Sequence, residues 1–269
     1  MFRKSSIAGL TAVVTGASGG IGLQFCRELA RRGCDLVMIS NQDMELMECA
    51  EAIRKEYAVR TYPLAVDLTE PNVARAIDSW LDSHDIDPSI LINNAGIFSF
   101  MPVIETSAEK MNSFINLHVG AVANLSRRFA HRFKRRGKGW ILNMSSMSCW
   151  MPMPGIALYS STKAFIRTFT RALHYEMRDY GVKVMVACPG GISTDLFGLP
   201  PNLMQLALKL HAVETPERFV KKALDAMQRG KKQYINGFIN RLTILAVGMA
   251  PTPVRMLVKR RMLDKKIRR

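Results

Sequence analysis

The chain has 269 residues, 48% hydrophobic and 22% charged, which excludes a disordered polymer and allows a sizeable buried core. Its net charge is +16, of which +7 sits in the 15 residues from Arg255 onward and +9 in the other 254. Five cysteines (26, 34, 49, 149, 188) form no Cys-x-x-Cys pair, which excludes a disulfide scaffold and reads as buried reduced thiols.

The N-terminus, "MFRKSSIAGLTAVV", lacks the apolar stretch of a secretory signal. No run of about 20 apolar residues predicts a spanning helix. "LTAVVTGASGGIG" reads as a β-branched strand, a glycine-rich turn and a helix start, and "LQFCRELARRG" continues that helix to a cap at Gly33. "CDLVMIS" is a second strand and "QDMELMECAEAIRKEY" a second helix. "VRTYPLAVDL" is a third strand, and "TEPNVARAIDSWLDSH" a third helix with Thr69 as N-cap and Pro71 in its first turn. "PSILINNAG" is a fourth strand. A long helix runs through "EKMNSFINLHVGAVANLSRRFAHRFKRRG", then "GWILNMSS" is a fifth strand. A helix over about 159–180 and a sixth strand, "VKVMVACPGG", follow.

Strands that are continuous apolar runs, alternating with helices, predict an α/β fold: a doubly wound parallel sheet with helices on both faces. We expect one dinucleotide-binding and catalytic domain over 1–240, with a substrate lid at 193–215. An apolar and basic C-terminal extension over 241–269 completes the chain.

Four features carry chemistry: three stand at strand ends, where doubly wound sheets bind ligands, and the fourth joins Ser146, which ends the fifth strand, to a helix. "TGASGGIG", residues 15–22, joins strand to helix. Glycines there let backbone N–H groups approach a pyrophosphate at the helix N-terminus. "VDL" ends the third strand with Asp67 and Leu68, where Asp67 can meet an adenine amine. "NNAG", 93–96, ends the fourth. The last is "YSSTK", in which Tyr159 and Lys163 stand one helical turn apart, 13 residues after Ser146. A free tyrosine has a pKa of about 10, and a neighbouring ammonium is expected to lower it. With a serine hydroxyl to hold a carbonyl oxygen, that set suits hydride transfer with the phenol as acid.

Together "TGASGGIG", Asp67, "NNAG", Asn116 in "FINLHVG", Ser146, "YSSTK" and "PGGIST" at 189–194 resemble the short-chain dehydrogenase/reductases, over about 8–230. The resemblance implies a Rossmann-type fold, a nicotinamide cofactor and a catalytic Asn116, Ser146, Tyr159 and Lys163. In that family the serine orients the carbonyl and the tyrosine is the acid/base. The lysine also binds the ribose, and the asparagine distorts its helix and holds a relay water. The 13-residue offset favours Ser146 over Ser145 for the serine place. The implied cofactor contacts are Gly16, Ala17, Ser18, Gly20, Ile21, Gly22, Ser40, Asn41, Asp67, Leu68, Asn94, Ala95, Gly96, Tyr159, Lys163, Pro189, Gly190, Ile192 and Thr194. Oligomerisation to a dimer or tetramer through helices over 105–136 and 159–180 is also implied.

NAD or NADP is decided where the second strand ends. Ser40 and Asn41 stand there, with no acid to repel a 2′-phosphate, so NADP is expected over NAD. "MSCWMPMPGIAL" and "LFGLPPNLMQLALKL" read as adaptable apolar walls. They suit a hydrophobic ketone or alcohol: a 3-oxoacyl lipid, a ketosphinganine-like base or a steroid. The alternative is an NADP(H)-binding sensor or scaffold that turns nothing over. The expected location is cytoplasmic, with peripheral membrane contact through the C-terminal extension. The basic residues are not interleaved with aromatics, so no nucleic acid is expected. The five histidines show no metal-ligand spacing and read as structural or surface residues.

Overall fold

The computed structural model describes residues 7–192 and 213–263. Its centre is a seven-stranded parallel sheet in the order β3-β2-β1-β4-β5-β6-β9. In chain order the strands are β1 Thr11–Thr15, β2 Asp35–Ser40, β3 Thr61–Ala65, β4 Ile90–Asn93, β5 Gly139–Met144, β6 Val182–Ala187 and, at the far edge, β9 Gln233–Tyr234. A separate pair joins β7 Gly191–Ile192 to β8 Val213–Glu214. The order reverses between β1 and β4, opening a crevice at the carboxyl ends of the strands.

The period of two along each strand divides the core between the faces. Ala12 and Val14, Ile90 and Ile92, and Trp140 and Leu142 point to one face. They meet Phe25 and Leu29 of α1 (Gly20–Arg31), Leu46 and Ile53 of α2 (Asp43–Tyr57) and Phe219 and Ala223 of the later helix Pro216–Gln228. Val13, Leu91 and Ile141 point to the other. There they meet α3 (Val73–Ser83), α5 (Val122–Arg136) and α6 (Ala157–Glu176). Helix α4 (Ala108–Ile115) leads into α5 through one π turn, Asn116–Ala121. Beyond α7, the helix Pro216–Gln228, come α8 (Phe238–Gly248) and α9 (Thr252–Val258).

Local chemistry sets the boundaries. Gly33, at φ +82, ends α1 with its N–H on Ala30 O at 2.8 Å, as expected. Pro63 sits in β3, an edge strand, where its missing N–H breaks no ladder. The third helix departs from expectation. Thr69 is not its N-cap; it lies in a turn before the helix, where the Asp67 carboxylate accepts its N–H at 2.8 Å. The helix begins at Val73 behind Asn72, which is left-handed at φ 61.

No single helix among the described residues is long and apolar enough to cross a membrane. Helices Phe238–Gly248 and Thr252–Arg261 reach that composition only together, and they are bent by 100°. Most of the expected lid, 193–212, lies outside the described residues.

Candidate active site

The glycine turn is fixed from behind. Thr15 Oγ1 accepts the N–H groups of Asn94 and Ala95, both at 3.0 Å, and the Asn94 amide donates to Thr15 O at 3.1 Å. Gly16 lies at φ +66, and a Cβ there would come within 2.9 Å of Ala95 Cα. A Cβ on Gly22 would strike Gly16 O. These two glycines are therefore required by packing. Gly19 and Gly20 have nothing within 4 Å of a Cβ position, and Gly19 is an N-cap without a side-chain cap for α1. An uncapped helix N-terminus with an open glycine face fits a pyrophosphate.

At the end of β2, Ser18 Oγ lies 2.9 Å from Ser40 Oγ and donates to Gln42 Oε1 at 2.7 Å. The Gln42 N–H returns to Ser40 Oγ at 3.2 Å. The sequence reading named Ser18, Ser40 and Asn41 but missed Gln42. This polar set holds no carboxylate. Ala17 is buried with its N–H on Ile39 O, and Ile21 is half-buried against the core. Leu68 is buried beside exposed Asp67.

Ser146 follows β5 and caps a short 3-10 turn, Met147–Trp150, its hydroxyl accepting the Ser148 N–H at 3.1 Å. Ser145 is occupied differently: its hydroxyl donates to Lys163 O at 2.7 Å. Tyr159 and Lys163 are buried on α6, with Ser146 beside the phenol. Lys163 Nζ donates to Met144 O at 3.1 Å and lies 5.7 Å from the centre of the Tyr159 ring. Burial pushes the Lys163 ammonium down to about 8, with Cys188 and Cys149 pulling the other way. Burial also raises the phenol above its ordinary value; Ser146 opposes this and Cys149 adds to it. The expected lowering of Tyr159 by Lys163 is therefore corrected. Desolvation wins, and the phenol keeps its proton at neutral pH.

An apolar wall faces these groups. Phe98 stands edge-on to Tyr159 with ring centres 5.0 Å apart. The segment 151–156, predicted as a wall, is tied to the one carrying Phe100 by the Met101 N–H on Gly155 O at 2.8 Å. Phe98 and Phe100 were missed, because no periodicity marks them. On the far side, Pro189 O accepts the Met147 N–H at 2.8 Å and the Gly190 N–H donates to Asn236 Oδ1 at 2.7 Å. Ile192 is buried in β7. Thr194 lies outside the described residues.

Asn116 is not gathered with the others. It opens the π turn but is exposed, lining a groove with Leu68, Thr69, Asn72, Asn124 and Arg127. Two residues on, His118 is fully buried. Its Nε2 accepts the Ile97 N–H at 3.1 Å and its Nδ1 lies 3.0 Å from Thr162 Oγ1.

The family model for short chain dehydrogenases matches residues 10–199. The chain belongs to this family. As a short-chain dehydrogenase it is an oxidoreductase. It is 33% identical over 263 residues to the very-long-chain 3-oxoacyl-CoA reductase-B of Danio rerio, spanning 96% of this chain and 81% of that protein. It is 35% identical over 219 residues to the 17-beta-hydroxysteroid dehydrogenase type 3 of Mus musculus, spanning 80% and 68%. Among solved structures, a short-chain dehydrogenase from Sphingobium yanoikuyae in complex with NADPH is 29% identical, with a TM-score of 0.76 over 94% of this chain and 96% of that one.

Behind the dehydrogenase site lies a buried polar network that was not anticipated. Asn93 Nδ2 donates to Asn143 Oδ1 at 2.8 Å, and Asn143 Nδ2 donates to Thr170 Oγ1 at 2.9 Å. The two asparagines are register partners on β4 and β5, so the network locks the strands that carry "NNAG" and Ser146 to α6.

Proposed function

We propose that the chain reduces a ketone on a hydrophobic substrate with NADPH, in a single catalytic domain over 1–240 with a lid at 193–215. The observation that carries this is Tyr159: a buried phenol that keeps its proton, beside Ser146 and facing an apolar wall. A protonated phenol is able to donate to a carbonyl oxygen. NADPH supplies hydride to the carbonyl carbon. Ser146 holds the carbonyl oxygen and Tyr159 gives it a proton, while Lys163 sets the charge behind them.

The Ser18–Ser40–Gln42 set supports NADP over NAD, since no carboxylate there repels a 2′-phosphate. The resemblance to 3-oxoacyl-CoA and 17-beta-hydroxysteroid enzymes supports a long acyl or steroid ketone. Fluorescence titration with NADPH and NADH tests the reading. NADPH is expected to bind at least about tenfold more tightly, a difference of about 1.4 kcal/mol, and to be oxidised on adding a long-chain 3-oxoacyl thioester. Preference for NADH would overturn the cofactor assignment. Binding without turnover of any acyl or steroid ketone would favour a sensor.

The reading extends to a cytoplasmic homodimer or homotetramer, joined through α4, α5 and α6, that touches a membrane through its C-terminal extension. Phe238, Leu242, Leu245 and Met249 repeat at helical spacing along α8 and its end, and are 72%, 51%, 61% and 78% exposed. The inner face of α8 buries Asn240 against Gly190, beside the catalytic crevice. From Met227 to Leu263 there are eight Lys or Arg and no acid. Self-association through this face would set like charges together, whereas an anionic lipid surface complements them. The full chain should sediment with phosphatidylcholine vesicles containing about 30% phosphatidylserine, and the double variant Leu242→Ser/Leu245→Ser should bind at least about tenfold more weakly. Equal binding to neutral vesicles would overturn the electrostatic half of the argument.

A further inference from the structure

We propose that His118, not Asn116, is the residue that positions the catalytic pair, by tying the Gly96–Ile97 segment to the helix that carries Tyr159 and Lys163. This rests on the reading of Tyr159 as the proton donor. Because the Ile97 N–H is a donor, Nε2 of His118 must be bare, and the ring proton therefore sits on Nδ1 and is donated to Thr162 Oγ1. The Thr162 hydroxyl then donates to Tyr159 O at 2.9 Å. One continuous chain of donors thus runs from the backbone after "NNAG" through the π turn to the backbone of Tyr159 itself.

The same ring is packed on three sides. It stands edge-on to Phe114 and to Tyr159, with centres 5.4 Å and 6.0 Å apart. The third neighbour is Lys163: the Cβ position of Gly96 lies 2.9 Å from His118 Nε2 and 3.3 Å from Lys163 Nζ. Gly96 is therefore the passage through which imidazole, ammonium and loop approach one another.

The titratable groups around the ring are Lys163 and Tyr159, both on α6; Phe114 and Thr162 are neutral. Burial first, and the Lys163 ammonium second, push the imidazole down to about 2. The ring is consequently neutral across the working range, and its tautomer is fixed by its two partners. The π turn explains why a histidine reaches this place. The wider turn rotates the helix, so that Asn116 faces the groove beside α3 while His118 faces the crevice.

The test uses the full chain and two readouts. In protein labelled with nitrogen-15 histidine, the His118 ring should show the neutral Nδ1–H tautomer from pH 5 to 9. An imidazolium signal at pH 6, or the other tautomer, would overturn the proposal whether or not a substrate has been found. For kinetics, His118→Leu is expected to lower kcat about a hundredfold with a long-chain 3-oxoacyl thioester, while NADPH affinity changes less than about threefold. His118→Gln, whose amide oxygen can accept the Ile97 N–H, is expected to recover most of that loss. Asn116→Ala should stay within about threefold of the parent. Loss in Asn116→Ala with retention in His118→Leu would return the role to Asn116. Equal losses in kcat and folded fraction for both His118 variants would reduce the histidine to packing. Failure of the parent itself to turn over would count against the reductase reading and leave the tautomer measurement to decide this one.

Discussion

Replacing Tyr159 by Phe should lower turnover by about 10³-fold while leaving NADPH affinity within about threefold of the parent. The hydroxyl is the only part removed. The ring keeps its edge contacts with Phe98 and His118, so the crevice retains its shape. The hydroxyl beside Ser146 is lost, and general acid catalysis by a positioned group is worth about 10²–10⁴-fold. Stopped-flow measurement of NADPH oxidation, with fluorescence titration beside it, separates the two effects. A parallel loss of cofactor binding would place Tyr159 in the fold rather than the chemistry. Unchanged turnover would remove it as the proton donor. A sensor, by contrast, would keep its function in this variant.

The parts of this site that were legible in the sequence share one property: their chemistry is written in local spacing. The glycine turn, "NNAG" and Ser146 each sit at a strand end, the parallel order of β1, β4, β5 and β6 brings those ends to one edge, and "YSSTK" lies on α6. Asn116 faces the groove and not the crevice because helix phase decides which residues of that segment point inward. A π turn changes that phase without any sequence signal at Asn116–Ala121, and a shift of two residues exchanges a groove for the crevice. Gln42 and Thr15 were missed because Ser18, on the one hand, and Asn94 and Ala95, on the other, are distant from them in sequence. The Asn93–Asn143 pair could have been found: an asparagine stands at or next to the end of each of two otherwise apolar strands, at the same register. Thr69 stands in a turn with Asp67 ahead of the helix, which begins only at Val73.

Lys163→Met should make the cofactor-free protein more stable at pH 7 while cutting turnover by about 10²–10³-fold. The lysine is fully desolvated, and its ammonium is pushed from 10.5 down to about 8. Between those two values the unfolded chain binds a proton that the folded chain has released, so stability from this group rises with pH across that window. Below about 8 both states are protonated and the whole penalty is present, about 3 kcal/mol at 1.36 kcal/mol per unit. Methionine removes the charge but also leaves Met144 O without its 3.1 Å donor, a loss of about 1 kcal/mol. The net gain is about 2 kcal/mol, or a midpoint higher by about 5 °C at pH 7, and it should fade as the pH approaches 10.5. Thermal denaturation of parent and variant at pH 7 and pH 10 checks both the size and the fading; a variant less stable at pH 7 would contradict it. The same group should shape the parent's kcat/KM, which reports the free enzyme: it should fall above about pH 8 as the ammonium behind Tyr159 is lost, whereas the phenol itself, raised by burial, stays protonated there. A charge that destabilises the fold is retained at this position because the proton donor works beside it.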